Sequence, residues 1–265
     1  MNILITGANG YLGKHLCSSL LFGENKISCY NRQSSLDLIK EVAPDVVIHT
    51  ICSYGRNNES ASQIYKSNLL TGIDIIDELT KLDKPVTFIN CGTSLKLHTN
   101  LYSLSKGQFI EYGKFVSNNK LKFININLQH FYGPAATNNF ISFVFEQCIK
   151  HNTLPLTQGI QERDFVYIDD VLSAFKCIIE NKDILYNFEN IDLGTGCATQ
   201  LKELIYKIHN ITHSKSKLDF GKIPMRNNEE LIMKADTTRL HTLNWSANIN
   251  LEQGLQLIKD SYNEK

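Results

Sequence analysis

The 265-residue chain has no net charge, its 27 lysines and arginines being matched by 27 aspartates and glutamates. It lacks the electrostatic footprint of a nucleic-acid binder, and no basic stripe with interleaved aromatics runs through it. An anionic small molecule would have to be held by a few placed cations. No apolar run approaches the roughly 20 residues that cross a bilayer. The first strand is expected to begin at Asn2, which reads as leaving no room for a leader. The seven cysteines (Cys17, Cys29, Cys52, Cys91, Cys148, Cys177 and Cys197) are odd in number and contain no C-x-x-C pair. They read as small buried thiols of a protein kept in a reducing, cytoplasmic compartment. Internal repeats and low-complexity linkers are also missing. His209 and His213 stand four apart, but no Glu follows His209 and no third ligand is evident. They read as a solvated helix end, and no metal is expected.

What is there is an ordinary globular composition, 42% hydrophobic and 20% charged, enough for a sizeable core. Residues 2–6, 26–30, 44–49, 86–90, 122–127 and 190–194 read as strands. Residues 14–21, 35–42, 63–82, 104–116, 140–150 and 170–180 read as helices. Within 63–82, Leu69, Leu70, Ile73, Ile76 and Leu79 recur on one side. Strand and helix alternate, which predicts an α/β fold built on a doubly wound parallel sheet. Beyond about Phe131 the pattern loosens around Pro134, Pro155 and Pro224. This predicts a small C-terminal lobe threaded through the end of the first domain.

Thr6-Gly-Ala-Asn-Gly-Tyr-Leu-Gly13 opens on the first strand and enters the first helix. Gly7 allows a tight turn, Gly10 lets backbone N–H groups approach a pyrophosphate, and Gly13 permits close helix–strand packing. The glycines are spaced three and three, not two and three, and without its strand–helix context the cluster would read as a structural turn. About 20 residues further on, a site for NAD needs an acid to accept from the ribose 2′-hydroxyl. Here Tyr30-Asn31-Arg32 stands, with no carboxylate between Asn25 and Leu36. Arg32 suits a 2′-phosphate, so NADPH (NADP) is the expected cofactor and NAD the less favoured one. A solvated surface arginine is the alternative.

Tyr102-Ser-Leu-Ser-Lys106 puts a phenol and an ammonium on one helix face. A ketone reduced by hydride needs a proton at its oxygen, and tyrosine is a sluggish donor unless a neighbouring cation lowers its pKa. A bare Tyr-x-x-x-Lys is as easily an exposed helix start. Its place after a fourth strand ending Asn90-Cys-Gly-Thr-Ser94 favours the chemical reading, because a hydroxyl there can polarise a substrate carbonyl. Thr93 is the first choice and Ser94 the second, with a plain turn hydroxyl as the alternative for either.

These segments, with His49-Thr-Ile at a strand end, Asn68, His130-Phe-Tyr-Gly-Pro134, Arg163-Asp-Phe-Val-Tyr-Ile-Asp-Asp170 and Leu193-Gly-Thr-Gly196, resemble the extended short-chain dehydrogenases. This is the NAD-dependent epimerase/dehydratase family, and the resemblance covers nearly the whole chain. It implies a Rossmann domain over 1–130 and 164–195 and a nucleotide-sugar lobe over 131–163 and 196–265. Tyr102 would be the general acid, Lys106 its partner that also holds the nicotinamide ribose, and Thr93 the carbonyl-orienting hydroxyl. The cofactor would meet Thr6, Gly7, Asn9, Gly10, Tyr11, Leu12 and Gly13 at the turn. Asn31 and Arg32 would follow at the second strand, and Thr50, Ile51, Cys52 and Asn68 beyond the third. Ser94, Arg56 and His130 would face the substrate, with Arg163 and Arg226 on its diphosphate.

The implied reaction is NADPH-dependent reduction of the 4-keto group of a nucleotide-activated 4-keto-6-deoxy or 3,6-dideoxy hexose, CDP-linked, for polysaccharide sugar synthesis. A homodimer through helices 63–82 and 104–116 is implied by the same analogy. A nucleotide-sugar 4-epimerase with bound NAD, or a dTDP- or GDP-4-keto-6-deoxyhexose reductase, is the alternative. The family's 4,6-dehydratases carry Asp-Glu directly after the threonine, whereas Ser94 and Leu95 follow here. The segment before Pro44 is short, so the family's usual third strand and its adenine-contacting Asp are expected to be missing, with Asp37 a poor substitute.

Overall fold

The computed structural model describes residues 1–137, 139–226 and 229–263. Its first half runs β1 (Asn2–Thr6), α1 (Tyr11–Ser18), β2 (Lys26–Tyr30), α2 (Asp37–Val42), β3 (Val46–His49), α3 (Ala61–Tyr65), α4 (Thr71–Thr80), β4 (Val86–Cys91), α5 (Leu101–Val116) and β5 (Leu121–Leu128). The second half runs β6 (His130–Tyr132), α6 (Phe140–Ile149), β7 (Leu154–Pro155), β8 (Glu162–Tyr167), α7 (Ile168–Glu180), β9 (Phe188–Leu193), β10 (Ala198–Gln200), α8 (Leu201–Ile211), β11 (Leu218–Asp219), β12 (Ile232–Met233), α9 (Thr238–Thr242) and α10 (Leu251–Asn263).

The first compact unit comprises Met1–Leu128 and Leu172–Asp192. Its six strands lie in the order β2-β1-β3-β4-β5-β9, and every pairing from β2 to β5 is parallel. This is the dinucleotide-binding order 3-2-1-4-5-6 without the strand beyond β2 and with one further strand, β9, beyond β5. Among the described residues no strand lies beyond β2, as the short segment before Pro44 implied. Val46, Val47 and Ile48 of β3 and Val86, Phe88 and Ile89 of β4 are all buried, the continuous apolar run of strands covered on both faces. Phe88 stacks on Phe123 at 5.4 Å, and Phe109 of α5 meets both rings edge-on at 6.0 and 5.6 Å. Ile75, Ile76 and Leu79 of α4 complete that core.

The helix expected over 63–82 is interrupted by a π-helical turn, Lys66–Leu70, with Asn68 buried inside it. The helix expected from 104 starts at Leu101. Asn100 caps it by accepting from the Ser103 amide (2.9 Å), while the Ser103 hydroxyl accepts from the Asn100 amide (3.1 Å). Tyr102 therefore sits in the first helical turn. The expectation of seven free thiols needs correcting. Cys17 of α1 and Cys29 of β2 are paired as a disulfide, because α1 packs along the edge strand.

The second unit comprises Gln129–Val171 and Leu193–Lys265. The sequence placed 164–171 with the first domain, but β8 pairs with β10, β12 and β6, all strands of this unit. Two carboxylates of the 163–170 stretch hold its loops. Asp164 accepts from the Thr195 amide (2.9 Å) and hydroxyl (2.6 Å), the Gly196 amide (2.9 Å) and the Ala235 amide (3.1 Å). Asp170 accepts from the amides of Asn248 (3.0 Å) and Ile249 (2.9 Å). Each satisfies backbone donors that burial would otherwise leave unmatched. No described helix is long and apolar enough to cross a membrane.

Candidate active site

The glycine turn sits at the carboxyl ends of β1 and β3, where open α/β sheets take their ligands. Gly7 adopts φ +75°, and a side chain there would strike Thr50 Oγ1 and the Ile51 amide. The Gly7 and Ala8 amides donate to the Tyr30 carbonyl at 3.0 and 3.3 Å, which ties the turn to β2. A Cβ on Gly13 would collide with the Gly7 carbonyl, so α1 can approach the turn only with glycine at that position. Asn9 and Gly10 are exposed at the tip, Tyr11 is half-buried, and Leu12 is buried behind them. No acidic residue stands in the first turn of α1 to oppose an anion. Thr6 is fully buried, its hydroxyl 2.8 Å from His49 Nδ1, so it anchors the turn from inside. Thr50 donates its hydroxyl to the Thr6 carbonyl at 2.7 Å. At β2, the Asn31 side chain accepts from the Gln33 amide (2.9 Å), and Arg32 is exposed.

The residues expected to act as acid and base lie in the same unit. Tyr102 is only 8% exposed, and of the two candidate hydroxyls Thr93 is the one whose side chain acts on its phenol, drawing its pKa down. The Thr93 hydroxyl accepts from the Leu95 amide at 3.2 Å, which fixes its direction. Lys106 is fully buried, and its Nζ has no partner among the described residues. The sequence predicted a phenol lowered by the neighbouring ammonium, but burial outweighs it. Burial and the nearby Cys52 push Tyr102 above the ordinary tyrosine value, against the pull of the Thr93 side chain and the Arg56 charge. Burial likewise pulls Lys106 down. His49, beneath them, is held well below the usual histidine value by burial and by Lys106.

Asn68 was expected on the cofactor side. Its side chain is instead committed to protein: Oδ1 accepts from the Ser53 amide (2.6 Å), and Nδ2 donates to the Ser53 carbonyl and the Ser105 hydroxyl (2.9 Å each). It clamps the loop after β3 to α5, and the π-turn gives it the reach. Ile51 and Cys52 are half-buried on that loop, and Arg56 is exposed.

In the second unit, the Arg163 expectation also changes. Its guanidinium donates to Glu229 (3.0 Å) and to the carbonyls of Glu162 (2.8 Å) and Leu231 (3.2 Å), so it braces β8 to β12. Arg226 is exposed. His130 packs on Phe165 at 5.8 Å, with a buried Nδ1 that lacks a partner among the described residues. Burial and the Arg163 charge pull it down to about 4, so it is neutral at working pH. The Asn68 clamp and the Arg163–Glu229 pair join residues of separate elements, and no local spacing announces them.

The profile of the NAD dependent epimerase/dehydratase family matches residues 3–194. Along 96% of its length the chain is 27% identical to the CDP-abequose synthase of Salmonella typhimurium, of which it covers 96%. Among solved structures, the UDP-glucose 4-epimerase of Thermotoga maritima with UDP-glucose superposes with a TM-score of 0.84 at 19% identity, over 100% of this chain and 99% of that one. RMD from Pseudomonas aeruginosa complexed with NADPH superposes at 0.81 and 19%, over 100% and 99%.

Proposed function

Because the chain belongs to the NAD dependent epimerase/dehydratase family, we propose that it is an NADPH-dependent 4-ketoreductase of a nucleotide-activated hexose, with a CDP-linked 4-keto-3,6-dideoxyhexose as its substrate class. One observation carries the proposal: Tyr102 is nearly enclosed, with the Thr93 side chain acting on its phenol and Lys106 fully buried on the same helix, and no carboxylate follows at Ser94 or Leu95. End-to-end similarity to proteins named CDP-abequose synthase supports the choice of nucleotide.

The residues present fit a dinucleotide. A Cβ on Gly13 would drive α1 off the turn backbone at Gly7 and Ala8, so the helix N-terminus is held against the turn, and Lys106 Nζ is an orphaned buried donor. The backbone amides that open α1 beyond Gly10, whose own amide donates to the Gly7 carbonyl, would hold the pyrophosphate at the helix N-terminus. Asn31 and Arg32 would take the phosphorylated ribose, Thr50, Ile51 and Cys52 would line the next stretch, and Lys106 would bind the nicotinamide ribose. When bound, the reduced nicotinamide supplies the hydride. Thr93 orients the ketone by donating to its oxygen, and Tyr102 gives that oxygen its proton. The Lys106 ammonium stabilises the phenolate left behind. Arg226 and His130 would serve the sugar nucleotide, while Arg163 is assigned an internal brace.

The test is a panel of CDP-, dTDP-, GDP- and UDP-linked 4-keto sugars, followed by loss of NADPH absorbance and repeated with NADH. The CDP sugar is expected to react fastest, with NADPH preferred about tenfold or more, the worth of one charge-assisted contact to a phosphate. Tightly copurifying NAD and inversion at carbon 4 without net cofactor consumption would instead make the chain an epimerase.

A further inference from the structure

Tyr54 and Arg56 follow β3 on the loop that Asn68 clamps, and the proposed reaction uses neither. The Tyr54 ring lies against the Tyr102 ring, with centroids 4.8 Å apart and planes tilted by 35°. The Arg56 guanidinium sits over the Tyr54 ring, 5.0 Å from its centroid. Tyr54 is 47% exposed where Tyr102 is nearly covered, so an accessible ring links a cation to a buried phenol.

The loop is pinned around these two side chains. Besides the grip of Asn68 on Ser53, the Glu59 carboxylate accepts from the Ser53 hydroxyl (2.9 Å) and the Asn57 amide (2.7 Å). Gly55 takes φ +69°, and a side chain there would press on Ile64. Residues 54 and 56 are thus presented by a preorganised turn.

We infer that Arg56, carried on the Tyr54 ring, is a second cation acting on the Tyr102 phenol, a positioning residue for the acid and not a ligand of the substrate. The inference rests on Tyr102 as the proton donor. Burial drives Tyr102 toward the neutral phenol, and it also drives Lys106 toward the neutral amine, which weakens the lysine as a fixed charge. A guanidinium keeps its proton at every working pH, and its flat face suits an aromatic ring. Arg56 supplies charge that desolvation of Lys106 erodes. The other titratable groups near the phenol are Cys52 and Tyr54 from the β3 loop, Cys91 from β4 and Lys106 on α5. Cys91 is pushed up to about 12 by burial and stays neutral.

The experiment compares Arg56→Met, Arg56→Lys and Tyr54→Phe in the full chain. 2,3,5,6-Tetrafluorotyrosine incorporated at position 102, whose phenol is far more acidic than that of tyrosine, offsets the upward push of burial and brings the titration toward the native pH range, and fluorine NMR reads it alone. Arg56→Met should raise the titration by roughly half a unit to one unit and lower kcat about five- to tenfold, with KM for the sugar nucleotide nearly unchanged. Arg56→Lys, which keeps the charge, should recover most of both, and Tyr54→Phe, which keeps the ring, should leave the titration in place. An unmoved fluorine titration in Arg56→Met, or a loss confined to KM, would overturn the inference. A wild-type chain that reduces none of the sugars would sink the ketoreductase reading alone, because the titration needs no turnover.

Discussion

At Tyr102 and Lys106, burial acts in opposite directions on the two pKa values but toward the same end, since it disfavours both charged forms. A catalytic phenol must nevertheless release its proton as the ketone accepts hydride. The groups opposing burial at the phenol are therefore the ones that matter: the Thr93 side chain and the charge of Arg56. Replacing Tyr102 by Phe removes the donor while keeping most of the ring packing. We expect kcat to fall at least about a hundredfold, the usual worth of a positioned general acid, with NADPH affinity by fluorescence essentially unchanged. Near-normal turnover in Tyr102→Phe would remove this residue from the chemistry. The sequence puts Thr93 first and Ser94 second without deciding between them, because adjacent hydroxyls at a strand end point differently only once the loop's own hydrogen bonds are made.

Elements were legible where one local rule decided them. β1 and β2 were read to the residue, since each is a short run fixed by turn signals at its ends. The doubly wound sheet followed from the strand–helix alternation. The start of α5 was missed because its capping box uses Ser103 where Glu or Gln is the usual partner. The π-turn at Lys66–Leu70 carries no signal of its own, as the apolar stripe runs straight through it. The Cys17–Cys29 pair and the Arg163–Glu229 bridge depend on tertiary approach. Around α4 and α5 the apolar residues exceed what one sheet face covers. Leu70 and Leu101 are exposed, and Phe115 is 86% exposed. A homodimer through these helices is the expected use of that surface. Sedimentation should give the dimer mass, and Phe115→Lys should shift it toward monomer; a monomeric wild type would argue against this use of the helices.

Each unit of the molecule also stores an uncharged histidine, and this sets how stability should follow pH. His49 in the first unit is held well below the ordinary value by burial and by Lys106, and His130 in the second is held at about 4 by burial and Arg163. Unfolding returns both to near 6.5. Between about 4 and 6.5 the unfolded chain therefore binds protons that the folded chain refuses, so stability rises with pH across this window. The contribution is fully present above about 6.5 and is lost progressively as the pH falls toward 4. Glu59, held low by the Asn57 amide, and Glu252, held low by Lys207, lose theirs below the ordinary carboxylate range. The histidine slope can thus be separated from the acid limb. His49 is wholly enclosed, and replacing it risks the fold. His130→Gln is the better probe, because it keeps a polar side chain of similar reach without the charge. Urea midpoints at pH 7, 6 and 5 should fall for the wild type and fall less steeply for His130→Gln. An unchanged slope would mean that His130 already takes up its proton in the folded chain, and its neutrality would have to be abandoned.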